Sequence, residues 1–172
     1  DSDSYHVLER GWSDPEQRII DSGIDGVDEL TIVGTDASTG YHLTDVLISG
    51  YLATELNART LQLGFEGVED LALEMGGAND VAIIDVDERS ELKINLLGGL
   101  GADTFDIRGC LGDAVIDGGG DADLFEVAFG HLANSLKLIG GSDGARDVAR
   151  AVGTSAADRF MGWSNSPIVV QW

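Results

Sequence analysis

Basic residues are scarce in this chain: Lys and Arg total 10 against 31 Asp and Glu, a formal charge of -21. A surface of that sign repels nucleic acid and anionic membrane, which removes both from the expected partners and leaves cations. Cysteine is nearly absent. Cys110 stands alone, so no internal disulfide can staple the fold, and it reads as a small residue at the second turn of a coil. No apolar run reaches the roughly 18 residues that a membrane helix needs, and no charged, apolar, small-residue order at the start reads as a signal peptide. Membrane insertion is therefore not expected. Catalytic signatures are missing too: there is no GxSxG elbow and no HExxH, and His6, His42 and His131 have no ligand spacing. GGLGAD lacks the third glycine of a dinucleotide fingerprint. Asp85 and Asp87 open something like an EF-hand loop, but Arg89 and Ser90 remove its third ligand and its turn glycine.

What the chain has is a recurrence. Gly98 to Asp106 reads GGLGADTFD and Gly118 to Glu126 reads GGGDADLFE, one nine-residue pattern twenty residues apart. A fixed period near twenty residues suits a solenoid, in which each coil lays the same turn above the last and no coil buries its apolar side alone. Glycines permit positive φ and expose carbonyls, and the aspartate closing the turn adds negative charge beside them, a donor set suited to calcium. Weaker copies surround this pair: Gly76 to Asp80, one residue short; GGSDGARDV from Gly140, with an insertion before Asp147; GTSAADRFM from Gly153, with Asp158 and Phe160; and GTDASTGYH from Gly34, with Thr39 in the aspartate's place. Asp3 to Val7 superimpose on Asp103 to Ile107, so the chain reads as starting inside a repeat and as a segment of a longer polypeptide.

Between the turns the residues alternate as half-buried strands do. Leu71, Leu73 and Met75 oppose Ala72 and Glu74; Leu92, Ile94 and Leu96 oppose Lys93 and Asn95; Leu136 and Leu138 flank Lys137. A second alternating strand follows each turn, with Phe105 and Ile107, then Phe125 and Val127. Two strands and two turns fill a rung of about 20 to 22 residues, with the second turn near Gly112 or after Gly130. These patterns predict an all-β fold, a right-handed parallel β-solenoid, with Phe105 and Phe125 stacked inside. GVDELTI from Gly26 and GVEDLAL from Gly67 are near copies 41 residues apart, a spacing that predicts two coils. The segment DVLISGYLATELN, 45–57, has helix-compatible Leu, Ile and Ala, but Gly50 and the β-type residues favour strands. Pro15 sits in a polar stretch, 13–18, expected to be a loop. The regular coils are expected over 67–162, less regular ones over 1–66, and a strand or tail over 163–172. Asp103 and Asp123 would then lie one coil apart at about 4.8 Å, where two unit charges repel by about 3.5 kcal/mol at an effective dielectric near 20. Such a column calls for a counter-ion.

The GGxGxDxFx runs at 98 and 118, with the weaker copies at 76, 140 and 153, resemble the calcium-binding nonapeptide repeats of the RTX, or haemolysin-type, proteins. In that family parallel β-rolls hold calcium between successive turns. The resemblance implies Ca²⁺ as the bound ion, Asp103 and Asp123 as its first ligands, backbone of Gly99, Gly101, Gly119 and Asp121 beside them, and Asp80 and Asp158 after those. RTX arrays repeat every nine residues, with a turn on each side of the coil; the 20-residue spacing here leaves metal on one edge only. It is similar in this to the degenerate coils of large bacterial surface and adhesin-type proteins. A structural or adhesive module of a secreted or cell-surface protein, flanked by neighbouring modules or subunits, is the function implied. The rival is a polysaccharide lyase or epimerase on a parallel β-helix, with carbohydrate as its partner, for which Arg108 near Asp106 and Lys93 near Glu91 are the candidate cluster. An enzyme is not the expectation.

Overall fold

A computed structural model describes residues 2–8, 17–22, 26–45, 47–52, 59–132, 134–155 and 169–171. Its elements are strands apart from a short 3-10 turn, Phe129–His131. Two sheets face each other. The six-stranded sheet runs β1 (Ser4–Leu8), β3 (Glu29–Thr35), β7 (Asp70–Gly76), β9 (Lys93–Gly99), β11 (Ala114–Gly119) and β13 (Leu136–Ile139), every neighbour parallel. The nine-stranded sheet contains β4 (Thr39–Thr44), β8 (Val81–Val86), β10 (Thr104–Cys110), β12 (Leu124–Ala128), β14 (Val148–Val152) and β15 (Val169–Gln171) in parallel order. The chain alternates between the sheets, β7 to β8, β9 to β10, β11 to β12 and β13 to β14, so consecutive coils stack into a parallel β-solenoid, as the repeat period predicts.

Alternation in sequence becomes alternation in burial. Leu71, Leu73 and Met75 are buried from β7, Ile94 and Leu96 from β9, Phe105 and Ile107 from β10, and Phe125 and Val127 from β12. Because the strands are parallel and in register, each inward residue sits on its equivalent one coil away: Leu71 on Ile94 on Ala114 on Leu136. Phe105 and Phe125 stack with ring centroids 5.1 Å apart and an interplanar angle of 8°, a geometry set by the strand spacing itself. Cys110 is buried at the end of β10, its thiol donating toward the Gly112 carbonyl, and burial pushes that thiol up to about 11.

The N-terminal part departs from the sequence expectation. β3 pairs directly with β7, Glu29 opposite Asp70 and Leu30 opposite Leu71. The 41 residues between GVDELTI and GVEDLAL therefore span one coil rather than two. The surplus forms β5 (Leu47–Leu52), antiparallel to β4, and β6 (Arg59–Glu66), antiparallel to β5, and β6 then pairs parallel with β2 (Gln17–Ile20). Strands are indeed what the segment from Asp45 contains, within 47–52. The apolar alternation that marks a solenoid strand also suits a hairpin strand: Ile48, Leu63 and Phe65 are buried in the same core as Tyr41 and Leu43. The polar stretch around Pro15 lies outside the described residues except Gln17 and Arg18, which open β2 instead of extending a loop.

Asp3 also falls elsewhere than its superposition on Asp103 suggests. It precedes β1 in the six-stranded sheet, whereas Asp103 precedes β10 in the nine-stranded sheet. The two mark opposite edges of the solenoid.

Register leaves no room between the glycine turns. Gly99 and Gly119 have φ of 101° and 94°, and a Cβ on either would overlap the carbonyl of the glycine one coil earlier, Gly76 and Gly99 respectively. A Cβ on Gly120, beside them, would meet the flexible Leu100 Cδ2 at 3.3 Å and the Gly99 carbonyl at an ordinary 3.6 Å. Gly99→Ala is accordingly expected to destabilise by at least about 2 kcal/mol, and Gly120→Ala by less than about 1 kcal/mol. Urea denaturation of the two variants measures the contrast.

Candidate functional site: an acidic ridge along the glycine turns

The turns joining the six-stranded to the nine-stranded sheet are piled along one ridge. Gly76 is opposite Gly99 and Gly99 opposite Gly119, while Thr104 is opposite both Val81 and Leu124. The aspartates that close these turns consequently form a column, and each is tied to the coil before it. Asp80 Oδ1 accepts the Thr39 N–H (2.6 Å), Asp103 Oδ1 the Asp80 N–H (2.8 Å), Asp123 Oδ1 the Asp103 N–H (2.9 Å) and Asp147 Oδ1 the Asp123 N–H (3.1 Å). The steps between successive aspartates are 23, 20 and 24 residues, so the ladder absorbs small differences in coil length.

Local sequence makes this possible. A Cβ on Gly98 would overlap Asp103 Oδ2 and the Gly118 carbonyl; one on Gly118 would overlap Asp123 Oδ2, and one on Gly140 would overlap Asp147 Oδ2. The first glycine of each repeat thus provides clearance for the carboxylate to fold back under its own turn. Asp80, Asp103 and Asp123 are 1%, 1% and 2% exposed.

Asp103 Oδ2 and Asp123 Oδ2 are buried and have no hydrogen-bond partner among the described residues. A buried charge with a bare oxygen is costly, and the groups respond as expected. Burial pushes both carboxyls up to about 7 from the ordinary 3.8, with the neighbouring carboxylates Asp80, Asp121, Asp143 and Asp147 adding to the rise and the backbone N–H bonds opposing it.

A second, more exposed row runs beside the column. Asn79 Oδ1 accepts from the Ala102 N–H (3.0 Å), Asp121 Oδ2 from the Gly101 N–H (3.2 Å) and Asp143 Oδ2 from the Asp121 N–H (2.5 Å). Asp121 holds φ at 69°, the left-handed region that Asp and Asn tolerate better than most residues. The backbone N–H bonds of Asp143 lower its carboxyl.

The ridge therefore brings together Asp80, Asp103 and Asp123, together with Gly99, Gly101, Gly119 and Asp121, all singled out from the sequence. Asp158 lies outside the described residues. Asp147, and the side chains of Asp121 and Asp143, were not singled out; the paired glycines at 140 and 141 were the available signal for Asp147. Of the carbonyls named beside the aspartates, that of Gly99 accepts the Gly120 N–H at 2.7 Å, as that of Gly76 accepts the Leu100 N–H at 3.1 Å. The oxygens that fit a cation best are the unpartnered ones, Asp103 Oδ2 and Asp123 Oδ2, with the Gly118 carbonyl converging on the same clearance as the first.

The opposite edge carries acid as well. Asp28 Oδ1 accepts the Asp3 N–H (2.8 Å) and Glu69 Oε2 the Asp28 N–H (3.0 Å), repeating the reach of one coil's carboxylate to the coil before. Ligand oxygens of Asp3, Asp21 and Asp28 lie within 4.8 Å of one another. Tyr5 donates to Asp21 Oδ2 at 2.7 Å, and that bond is the main reason its hydroxyl is pushed up to about 12.

The pairs named for the lyase reading do not converge. Arg108 and Asp106 form an ion pair of 2.7 Å on the nine-stranded sheet, whereas Lys93 lies on the six-stranded sheet, 3.4 Å from Asp70, and Glu91 is paired with Arg89 instead. The fold and this ridge define the chain as a parallel β-solenoid with a buried acidic column. Comparison with protein-family models, curated proteins and solved structures finds no match for it.

Because the folded carboxyls of Asp103 and Asp123 are raised, the native state holds protons that the unfolded chain has already released between pH 3.8 and about 7. Stability linked to these groups is present at the acid end of that window and is lost as pH rises through it. In chelator, the melting temperature is expected to fall between pH 5 and pH 8, by several degrees. A level or rising profile in thermal melts across that range would contradict the buried-column description.

Proposed function

We propose that this solenoid is a calcium-stapled structural module of a secreted or cell-surface repeat protein, acting as a spacer or adhesive element. The observation that carries the reading is the pair of buried, stacked carboxylates, Asp103 and Asp123, each with one oxygen left bare. Two such groups need either protons or a cation, and at neutral pH a hard divalent ion is the natural counter-charge for carboxylate and carbonyl oxygens. Calcium bound there would supply positive charge between coils; the chain's own residues supply the stacked oxygens, the glycine clearance and the register. The resemblance of the two strong repeats to RTX turns supports the same ion, and the net charge of -21 favours cations in general.

The setting follows from the affinity such a site can have. Few carboxylates, on turns held by backbone, match the weak extracellular class of calcium site, filled at about 10⁻⁴ to 10⁻³ M. Binding to the native state alone would add about 2.7 kcal/mol at a hundredfold excess over Kd. Folding would then follow delivery into a calcium-rich medium, with neighbouring modules of the same protein as the nearest partners.

Asparagine separates this reading from a purely structural column, since it keeps the oxygen that accepts the N–H and removes the charge. The double variant Asp103→Asn with Asp123→Asn is expected to melt higher than the parent in chelator and to lose most of the upward shift that millimolar calcium gives the parent. Magnesium at equal ionic strength is expected to give little of that shift. A parent protein whose melting temperature is the same in calcium and in chelator would remove the proposal.

A further inference from the structure

The column has a direction and two unlike ends. Each carboxylate reaches toward the N-terminal coil, and the series stops at Thr39, which gives its N–H to Asp80 and brings no charge; the Thr39 hydroxyl donates to the Ala37 carbonyl at 3.0 Å. The first glycine of the stack is likewise replaced, by Thr35 opposite Gly76. Asp36, in the same turn, lies against Gly77, outside both rows.

From there the ridge carboxylates go from one per turn to two beyond β10. The β7/β8 turn offers the neutral Asn79 and one carboxylate, Asp80; the β9/β10 turn Gly101 and Asp103; the β11/β12 turn both Asp121 and Asp123; the β13/β14 turn both Asp143 and Asp147, with the exposed Arg146 between them.

Apolar burial persists from β3 through β12 and falls off at the last coil. Tyr41, Leu43, Ile48, Phe65, Val68 and Leu71 are buried around the β3–β8 region, which Arg89 ties together. Its guanidinium donates to the Val68 carbonyl at 2.5 Å and lies 5.8 Å from the Phe65 ring centroid, and its backbone N–H donates to Asp45 Oδ1 at 3.2 Å. In β13 and β14 no residue is fully buried.

We infer that the solenoid is anchored on the apolar core of β3 to β8, and that its dependence on the ridge cation is greatest at β13 and β14, so that metal loss from the ridge frays it from that end. This rests on the calcium reading of the ridge. The β3–β8 region sets one ridge carboxylate, Asp80, against a large core, whereas β13 and β14 carry two and bury no residue fully. The N–H ladder transmits order in one direction, since each new carboxylate is satisfied by a donor already fixed in the coil before.

Hydrogen exchange of the full chain, read by mass spectrometry at constant ionic strength in calcium and in chelator, tests this. Chelator is expected to cut protection of Leu124–Ala128 and Val148–Val152 by more than about tenfold, while Glu29–Thr35, Thr39–Thr44 and Asp70–Gly76 stay within about twofold. The pair Asp121→Asn with Asp143→Asn is expected to reduce the chelator effect on β11 to β14 and leave β3 to β8 unchanged. An equal loss of protection in every coil would overturn the graded dependence while leaving calcium binding in place. No calcium effect in any segment would overturn both.

Discussion

Two carboxylates stacked one coil apart, each with one oxygen held by a backbone N–H and the other bare, are the constraint around which the rest is arranged. Asp103 and Asp123 cannot be left charged and unaccompanied at their burial. The single N–H bond to each offsets part of the desolvation but does not restore an ordinary carboxylate. The ridge therefore favours its protonated form, and on the proposed calcium reading a bound cation takes the protons' place.

Everything near the column serves its register. Gly98, Gly118 and Gly140 yield the space into which the carboxylates fold, and Gly99, Gly119 and Gly141 let successive turns touch without side chains between them. The phenylalanine two residues after the aspartate packs inward on its equivalent, so the same residue count that aligns the acids aligns the rings. Acid column and aromatic stack stand or fall together, because a slip of one residue would turn both to the wrong face.

Much of this was legible in the sequence, because in a parallel solenoid contact follows from period. The two strong repeats, twenty residues apart, place Asp103 beside Asp123 and Phe105 beside Phe125, and the alternation of Leu71, Leu73 and Met75 marks their strand. Where period is broken, inference from spacing fails. The 41-residue offset between Gly26 and Gly67 counts as two coils by length, yet β5 and β6 occupy the surplus with an apolar alternation that does not reveal strand direction. The superposition of Asp3–Val7 on Asp103–Ile107 does not reveal which edge each marks, because both edges set a carboxylate just ahead of a strand. The N–H donors of the ladder carry no side-chain signature at all, so a column that reads as pure repulsion is partly self-solvated.

The antiparallel pair has one more consequence, which is geometric. Between the first two coils the six-stranded sheet advances by one strand, β1 to β3, whereas the nine-stranded sheet advances by three, β2 through β6 and β5 to β4. At about 4.8 Å per strand the larger sheet gains about 10 Å on the smaller one over this coil, a mismatch that tilt of the coil or curl of the larger sheet must absorb. Strands continuing from β1 and β2 would therefore start offset between the two sheets by two strand spacings, unlike the even step at β7 to β12.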